Sequence, residues 1–231
     1  MGTLYSTLRT RLLKQLRDPN GVEWSDDTEL YQLISNAEQW MANWLGDLRG
    51  SGRFVVQDTI TLAASTSTFA FSALTDAATK VFAGVRYMEM LSASNVRVPL
   101  YAIAEGDENL YRSPSTITVD AWVPPSFLIR DDSFVFLPVS SQARTIYVTY
   151  QWIPIVKTSS SDTAATPTQY DDLLVHRAAF DALGRGGERE ETFDEKFAAR
   201  IADVETFEVS RLNRGTTETV KNVTSRTLFG S

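Results

Sequence analysis

The chain has 231 residues, a formal net charge of −7 and no cysteine, which removes disulfide frameworks, thiolate metal sites and cysteine nucleophiles together and is compatible with a reducing cytoplasm. Hydrophobic residues make up 43 %, with five Trp, eight Tyr and twelve Phe, so the chain can bury a sizeable core and disorder is excluded for most of its length. Its basic residues are scattered singly rather than gathered in runs, which disfavours a surface that grips nucleic-acid phosphates, and it shows neither an apolar run long enough to span a bilayer nor a cleavable signal.

Leu4, Leu8, Leu12 and Leu16 recur every fourth residue and predict a helix over Thr3–Arg17, with Asp18, Pro19, Asn20 and Gly21 supplying a turn. A second helix is predicted over Ser25–Leu48, where Leu30, Leu33, Ile34, Ala37, Trp40, Met41, Trp44, Leu45 and Leu48 line one face. Ser25 is the expected N-cap, and Asp26, Asp27 and Glu29 complement the positive end of the helix dipole. Two glycines in Arg49–Arg53 then end the helix, and the hydrophobic period falls from near four to near two.

Short runs rich in β-branched and aromatic residues follow: Val56 to Leu62, Thr68–Phe71, Phe82–Leu91, Val98–Ile103, Ser115–Trp122, Ser126–Arg130, Ser133–Leu137 and Thr145–Trp152. Asp131 and Asp132 read as a hairpin turn, and Pro124 with Pro125 breaks a strand or marks an edge. A small antiparallel sandwich or barrel is the natural product. Lys157–Thr166, mostly Ser, Thr and Ala, reads as a weakly ordered return linker. Pro167, Thr168, Asp171 and Asp172 introduce a third helix, Leu173–Leu183, that stops at Gly184–Gly187. Phe193, Phe197, Ile201, Val204 and Leu212 stripe a fourth helix, and from Asn213 onward the chain is a polar, Thr-rich tail ending near Leu228 and Phe229.

The expected fold is therefore α+β: a four-helix body drawn from both chain ends (1–50 and 167–212), an inserted antiparallel β module (53–156) and an extended C-terminal arm (213–231). Leu30, Leu33, Trp40, Trp44, Leu173 and Phe180 are the candidate residues for core or subunit packing. No catalytic, cofactor or metal site is expected. His176, the only histidine, lies inside an apolar helix pattern, and any imidazole-dependent chemistry would have to pass through it. The pairs Asp131, Asp132 and Asp171, Asp172 are accounted for by turn and helix-start roles, and Gly184–Gly187 lacks the Lys-Ser/Thr of a phosphate loop. The Asn222-Val223-Thr224 sequon is discounted for want of a secretory signal. Trp122, Trp152, Tyr87, Tyr101, Tyr147 and Tyr150 keep a second reading open, a carbohydrate- or ligand-binding β module of a virion or surface protein.

The succession Leu13, Asp18, Trp24, Ser25, Asp26, Glu29, Leu30, Leu33, Asn36, Ala37 resembles the opening of tailed-bacteriophage head-to-tail adaptor (connector) proteins. Later landmarks agree in order: Phe136-Leu137-Pro138, Ile146-Tyr147-Val148-Thr149-Tyr150, Pro154, and Pro167, Tyr170 and Asp171 leading into Leu173, Leu174, Val175 and Ala178. Asp172 after Asp171 departs from the usual pattern, and the β insertion is larger than in the smallest members. The resemblance implies a structural, non-enzymatic virion protein of the neck, between capsid and tail, made in the host bacterial cytoplasm. It further implies a dodecameric ring of copies beneath the portal protein, docking to a tail or neck protein, a channel through which DNA passes without specific binding, no membrane, and a terminal arm reaching the portal. Thr227, Leu228 and Phe229 are the residues of that arm expected at the portal.

Overall fold

The structure, a computed structural model, describes residues 2–48, 53–91, 95–108, 125–186 and 195–210. It is α+β, and contacts divide the chain into two units, Met1–Arg53 with Val156–Ser231 and Phe54–Ile155.

The first unit is helical. α1 (Tyr5–Gln15) buries Tyr5, Leu8, Leu12 and Leu13. It closes with Arg17 in the left-handed region, where the Asp18 amide donates to the Leu13 carbonyl and the Arg17 amide to that of Lys14; this pairing satisfies the last carbonyls of the helix. α2 (Asp27–Asp47) is capped by Asp26, whose carboxylate accepts from the Thr28 and Glu29 amides. The cap thus falls one residue after the expected Ser25, because a carboxylate both accepts and carries the charge the dipole favours. Leu30, Leu33, Ile34, Ala37, Met41 and Leu45 are fully buried, each large one contributing about 1.5–3 kcal/mol.

α3 (Asp171–Gly186) follows a single 3₁₀ turn at Thr168–Tyr170. It runs through Gly184 instead of stopping there, beyond the expected end at Leu183. α4 occupies 195–210; Phe193 and Leu212 of the expected stripe lie outside the described residues. α3 packs on both α1 and α2.

The segment 157–166 differs from the weakly ordered linker expected of its composition. The Tyr5 amide donates to the Asp162 carbonyl, the Ala164 amide to the Thr3 carbonyl, and Leu4 bridges Thr163. Ala164 and Thr166 are buried. Hydrogen bonds to the chain's own N-terminal residues order it where apolar side chains do not.

The second unit is a β-sandwich. One sheet has the order β1 (Val55–Leu62), β8 (Arg144–Pro154), β3 (Lys80–Leu91), β4 (Arg97–Pro99), all antiparallel. The other runs β2 (Thr68–Ala70), β7 (Ser133–Leu137), β6 (Ser126–Arg130), β5 (Tyr101–Ala102), antiparallel except for β5 against β6. In β1 and β8 the even-numbered residues face inward, so Ile60, Leu62, Ile146, Val148 and Tyr150 meet Phe127, Phe134 and Phe136 in one core. Asp131, at φ 47°, turns β6 into β7 as expected. The expected strand Val98–Ile103 is instead two short strands in different sheets, divided at the buried Leu100, whose amide donates to the Met88 carbonyl. The expected strand Ser115–Trp122 lies outside the described residues.

Candidate functional site

The helical unit concentrates its polar chemistry where the two chain ends meet. Asp18, just past α1, accepts from the amides of Val22, Glu23 and Trp24 at 2.8–2.9 Å. These bonds, Trp24 first and Val22 next, hold its carboxyl below the usual aspartate range. The loop so fixed delivers α2, and Arg9 of α1 bonds Asp27 at 2.7 Å.

Glu38 sits on the apolar stripe of α2 and is fully buried. Its carboxylate accepts from the Tyr5 hydroxyl at 2.9 Å, the Lys157 ammonium at 2.9 Å, the Thr166 amide at 3.2 Å and the Ala165 amide. Lys157 also donates through Nζ to the Thr163 carbonyl and through its amide to Ser35. Burial, and next the neighbouring Glu38 charge, push the Tyr5 phenol well above its ordinary value, so it stays a donor. One carboxylate thereby joins α1, α2 and the return segment. The signal in the sequence was a lone acid four residues after Ile34 on a buried face.

A second tie joins α1 to the start of α3. Arg11 donates to Asp171 at 3.0 Å and also to Asp172, while the Thr3 hydroxyl reaches Asp171 at 2.6 Å. The acidic pair therefore does helix-start and tethering work. His176 Nδ1 lies 2.9 Å from both the Gln15 side-chain nitrogen and the Asp172 carbonyl. Among the described residues, no cluster of three or more His, Asp or Glu is placed to hold a metal, and no helix is long and apolar enough to cross a membrane.

The structure separates the expected packing residues into two kinds. Leu30, Leu33 and Leu173 are buried in the helical core. Trp40, Trp44 and Phe180 are half-buried and form one aromatic group: the two indoles stack at 5.6 Å, and Phe197 of α4 lies 5.9 Å from Trp40 and 5.1 Å from Phe180. Arg177 crosses the faces of Trp40 and Phe180 at 4.9 and 5.3 Å and pairs with Asp181 at 3.0 Å. Such a guanidinium over aromatic faces keeps its charge while covering apolar area. Sequence spacing marks the Trp pair but not Arg177, since no local pattern announces a cation over a ring.

α4 is held at its far end by Glu208, which accepts from the buried Tyr170 hydroxyl and lies 3.5 Å from Arg53. Burial and then Glu208 raise the Tyr170 phenol above its usual range. Beside this contact, Gln169, Tyr170, Asp172 and Leu173 face Arg200, Asp203, Val204 and Phe207 across a groove of about 220 Å³.

In the β unit a cleft of about 350 Å³ opens beside the cis Leu137–Pro138 bond, floored by Leu62, Leu100, Phe136 and Ile146 and edged by Ser140 and Arg144. Of the aromatic residues behind the ligand-binding reading, Trp152 packs on Phe54 at 5.1 Å and under Lys80, and Tyr150 is in the core. Tyr147 is covered by Arg97 at 4.0 Å. Tyr87 and Tyr101 are exposed, and Trp122 lies outside the described residues. So do Thr227, Leu228 and Phe229, the expected portal contacts.

The family model described as SU10 adaptor protein matches residues 3–220. No curated protein matches the chain.

Proposed function

Since the chain belongs to the SU10 adaptor protein family, a family of phage head-to-tail adaptors, we propose that it is a structural protein of the virion neck whose copies form a ring beneath the portal, prolong the DNA channel and offer a docking face to the tail. The observation that carries this reading is the extent of the family match, residues 3–220, which takes in all the described elements from α1 to α4. In this reading the helices from both chain ends are the ring-building body and the β unit is an inserted module. The C-terminal arm from Asn213 meets the portal through Thr227, Leu228 and Phe229.

Physical features support it. A ring closed by rotation is heterologous, one face of each copy meeting a different face of the next. The half-buried group of Trp40, Trp44, Arg177 and Phe180 has the aromatic and arginine composition of interface anchors. Each such contact would bury on the order of 1,000–2,000 Å². A wall along which DNA slides must not hold phosphates, and a subunit of net charge −7 without basic runs meets that need. The role requires no catalysis and no cofactor.

Mass measurement of the full chain alone and mixed with purified portal tests the reading. A ring complex on mixing is expected, and a monomer indifferent to portal would refute it. Truncation after Asn213 should weaken portal binding; unchanged affinity would remove the arm from the interface.

A further inference from the structure

The groove between residues 169–173 and α4 is built like a receptor for a short apolar segment with basic flanks. Tyr170 and Leu173 form a floor that is only 2 % exposed, Val204 lines the wall, and Phe207 stands half-exposed at the rim. Asp172 and Asp203 flank it against one cation, Arg200. Arg11 already pairs with Asp172 from α1, so the acidic edge open to a newcomer centres on Asp203, with Glu205 exposed nearby.

The chain itself contains a segment of complementary chemistry. After Ser210 come four of its 22 basic residues, Arg211, Arg214, Lys221 and Arg226, but only one of its 29 acidic residues, Glu218. The same segment carries the apolar pair Leu228 and Phe229. Ser210 lies one turn beyond Phe207 on α4, and the 17 residues from Arg211 to Thr227 are ample to return to the groove, since an extended chain covers about 3.3 Å per residue. A tether of this length holds its end at an effective concentration on the order of millimolar, so a weak groove suffices.

We propose that in the free chain Leu228 and Phe229 seat in this groove against Phe207, with the basic residues of the segment beside Asp203, and that the groove thereby keeps the arm out of use until portal displaces it. This inference rests on the portal role of the arm proposed above and adds its regulation. A free subunit whose arm is docked binds portal with an affinity reduced by the fraction undocked. Subunits then gather on portal rather than on other surfaces.

The absence of native cysteine allows a direct test on the full chain. Arg200→Cys with Thr227→Cys places one thiol in the groove and one beside the apolar pair. Ala202→Cys with Thr227→Cys has nearly the same tether but the opposite face of α4. Under copper–phenanthroline, the first pair should close an intrachain disulfide about tenfold faster than the second, and adding Leu228→Ser and Phe229→Ser should abolish the difference. Equal rates for the two pairs, or only interchain disulfides, would overturn the dock, the latter in favour of a second copy as occupant. In a separate arm, full-length Asp203→Lys/Phe207→Ser should bind portal several-fold more tightly than the parent chain, and an unchanged affinity would overturn the regulatory role. If the parent chain ignores portal while the rate contrast persists, the docked arm stands and the portal reading falls.

Discussion

Replacing Glu38 by alanine tests the idea that one buried carboxylate fastens the two ends of the chain together. The substitution takes an acceptor from the Tyr5 hydroxyl, which also contacts the Ser35 side chain, and from the Thr166 amide, both in residues with no exposure, while the Ala165 amide and the partly exposed Lys157 ammonium can turn to solvent. A buried donor left without an acceptor costs about 1–3 kcal/mol, so the two together cost roughly 4 kcal/mol, less if Ser35 accepts from the Tyr5 hydroxyl or a water enters the vacated space. For a chain of this size each kcal/mol lowers Tm by about 2–4 °C, which puts the helical transition roughly 8–16 °C lower. Glu38→Gln keeps a carbonyl for the two amides but loses the charge that faces Lys157, and should fall between the parent and the alanine variant. Thermal unfolding followed at 222 nm, repeated in urea, reads the order directly. An alanine variant within about 0.5 kcal/mol of the parent would refute the clasp.

Tyr170→Phe removes the hydroxyl that donates to Glu208, a carboxylate 1 % exposed that also lies 3.5 Å from Arg53; a loss of about 2 kcal/mol is expected, with faster amide exchange across α4. Asp18 has a depressed carboxyl pKa, so its contribution is complete above the usual aspartate value of 3.8 and is lost as pH falls through the lower folded value. Asp18→Asn should therefore unfold with a shallower acid dependence below about pH 4, measured by fluorescence of the helical unit's tryptophans. Gly2→Ala places a methyl group against the Ala164 carbonyl; loss of slow exchange at the Ala164 amide, which donates to Thr3, is the expected result. Unaltered protection would show that the N-terminus can swing clear.

Helix periodicity was plain in the sequence wherever a single face is buried, as in Leu30, Leu33, Ile34 and Met41, because packing keeps the 3.6-residue repeat intact. The β6–β7 turn was plain for another reason: two aspartates between apolar runs leave little else for the backbone to do, and Asp131 tolerates the left-handed conformation. Other features follow from partners distant in the chain. Val98 pairs with Met90 in one sheet, and Tyr101 pairs with Ser126 in the other, yet alternation continues through the switch and conceals it. The return segment looked unable to order itself because its stabilising acceptors and donors belong to Thr3, Tyr5, Ser35 and Glu38. In the candidate site, spacing revealed the Trp40 and Trp44 pair, whereas Arg177 and Phe197 join it only through α3 and α4.

The β unit is one uninterrupted stretch, Phe54–Ile155, while the helical unit is split around it. During synthesis the sandwich therefore has all its strands as soon as Ile155 clears the ribosome, whereas α1 and α2, made first, must wait for α3. At about 5–20 residues per second that delay is on the order of ten seconds, during which the greasy stripe of α2 lacks the cover that α3 provides. Chaperone demand during translation should accordingly fall on the earliest helices rather than on the strands.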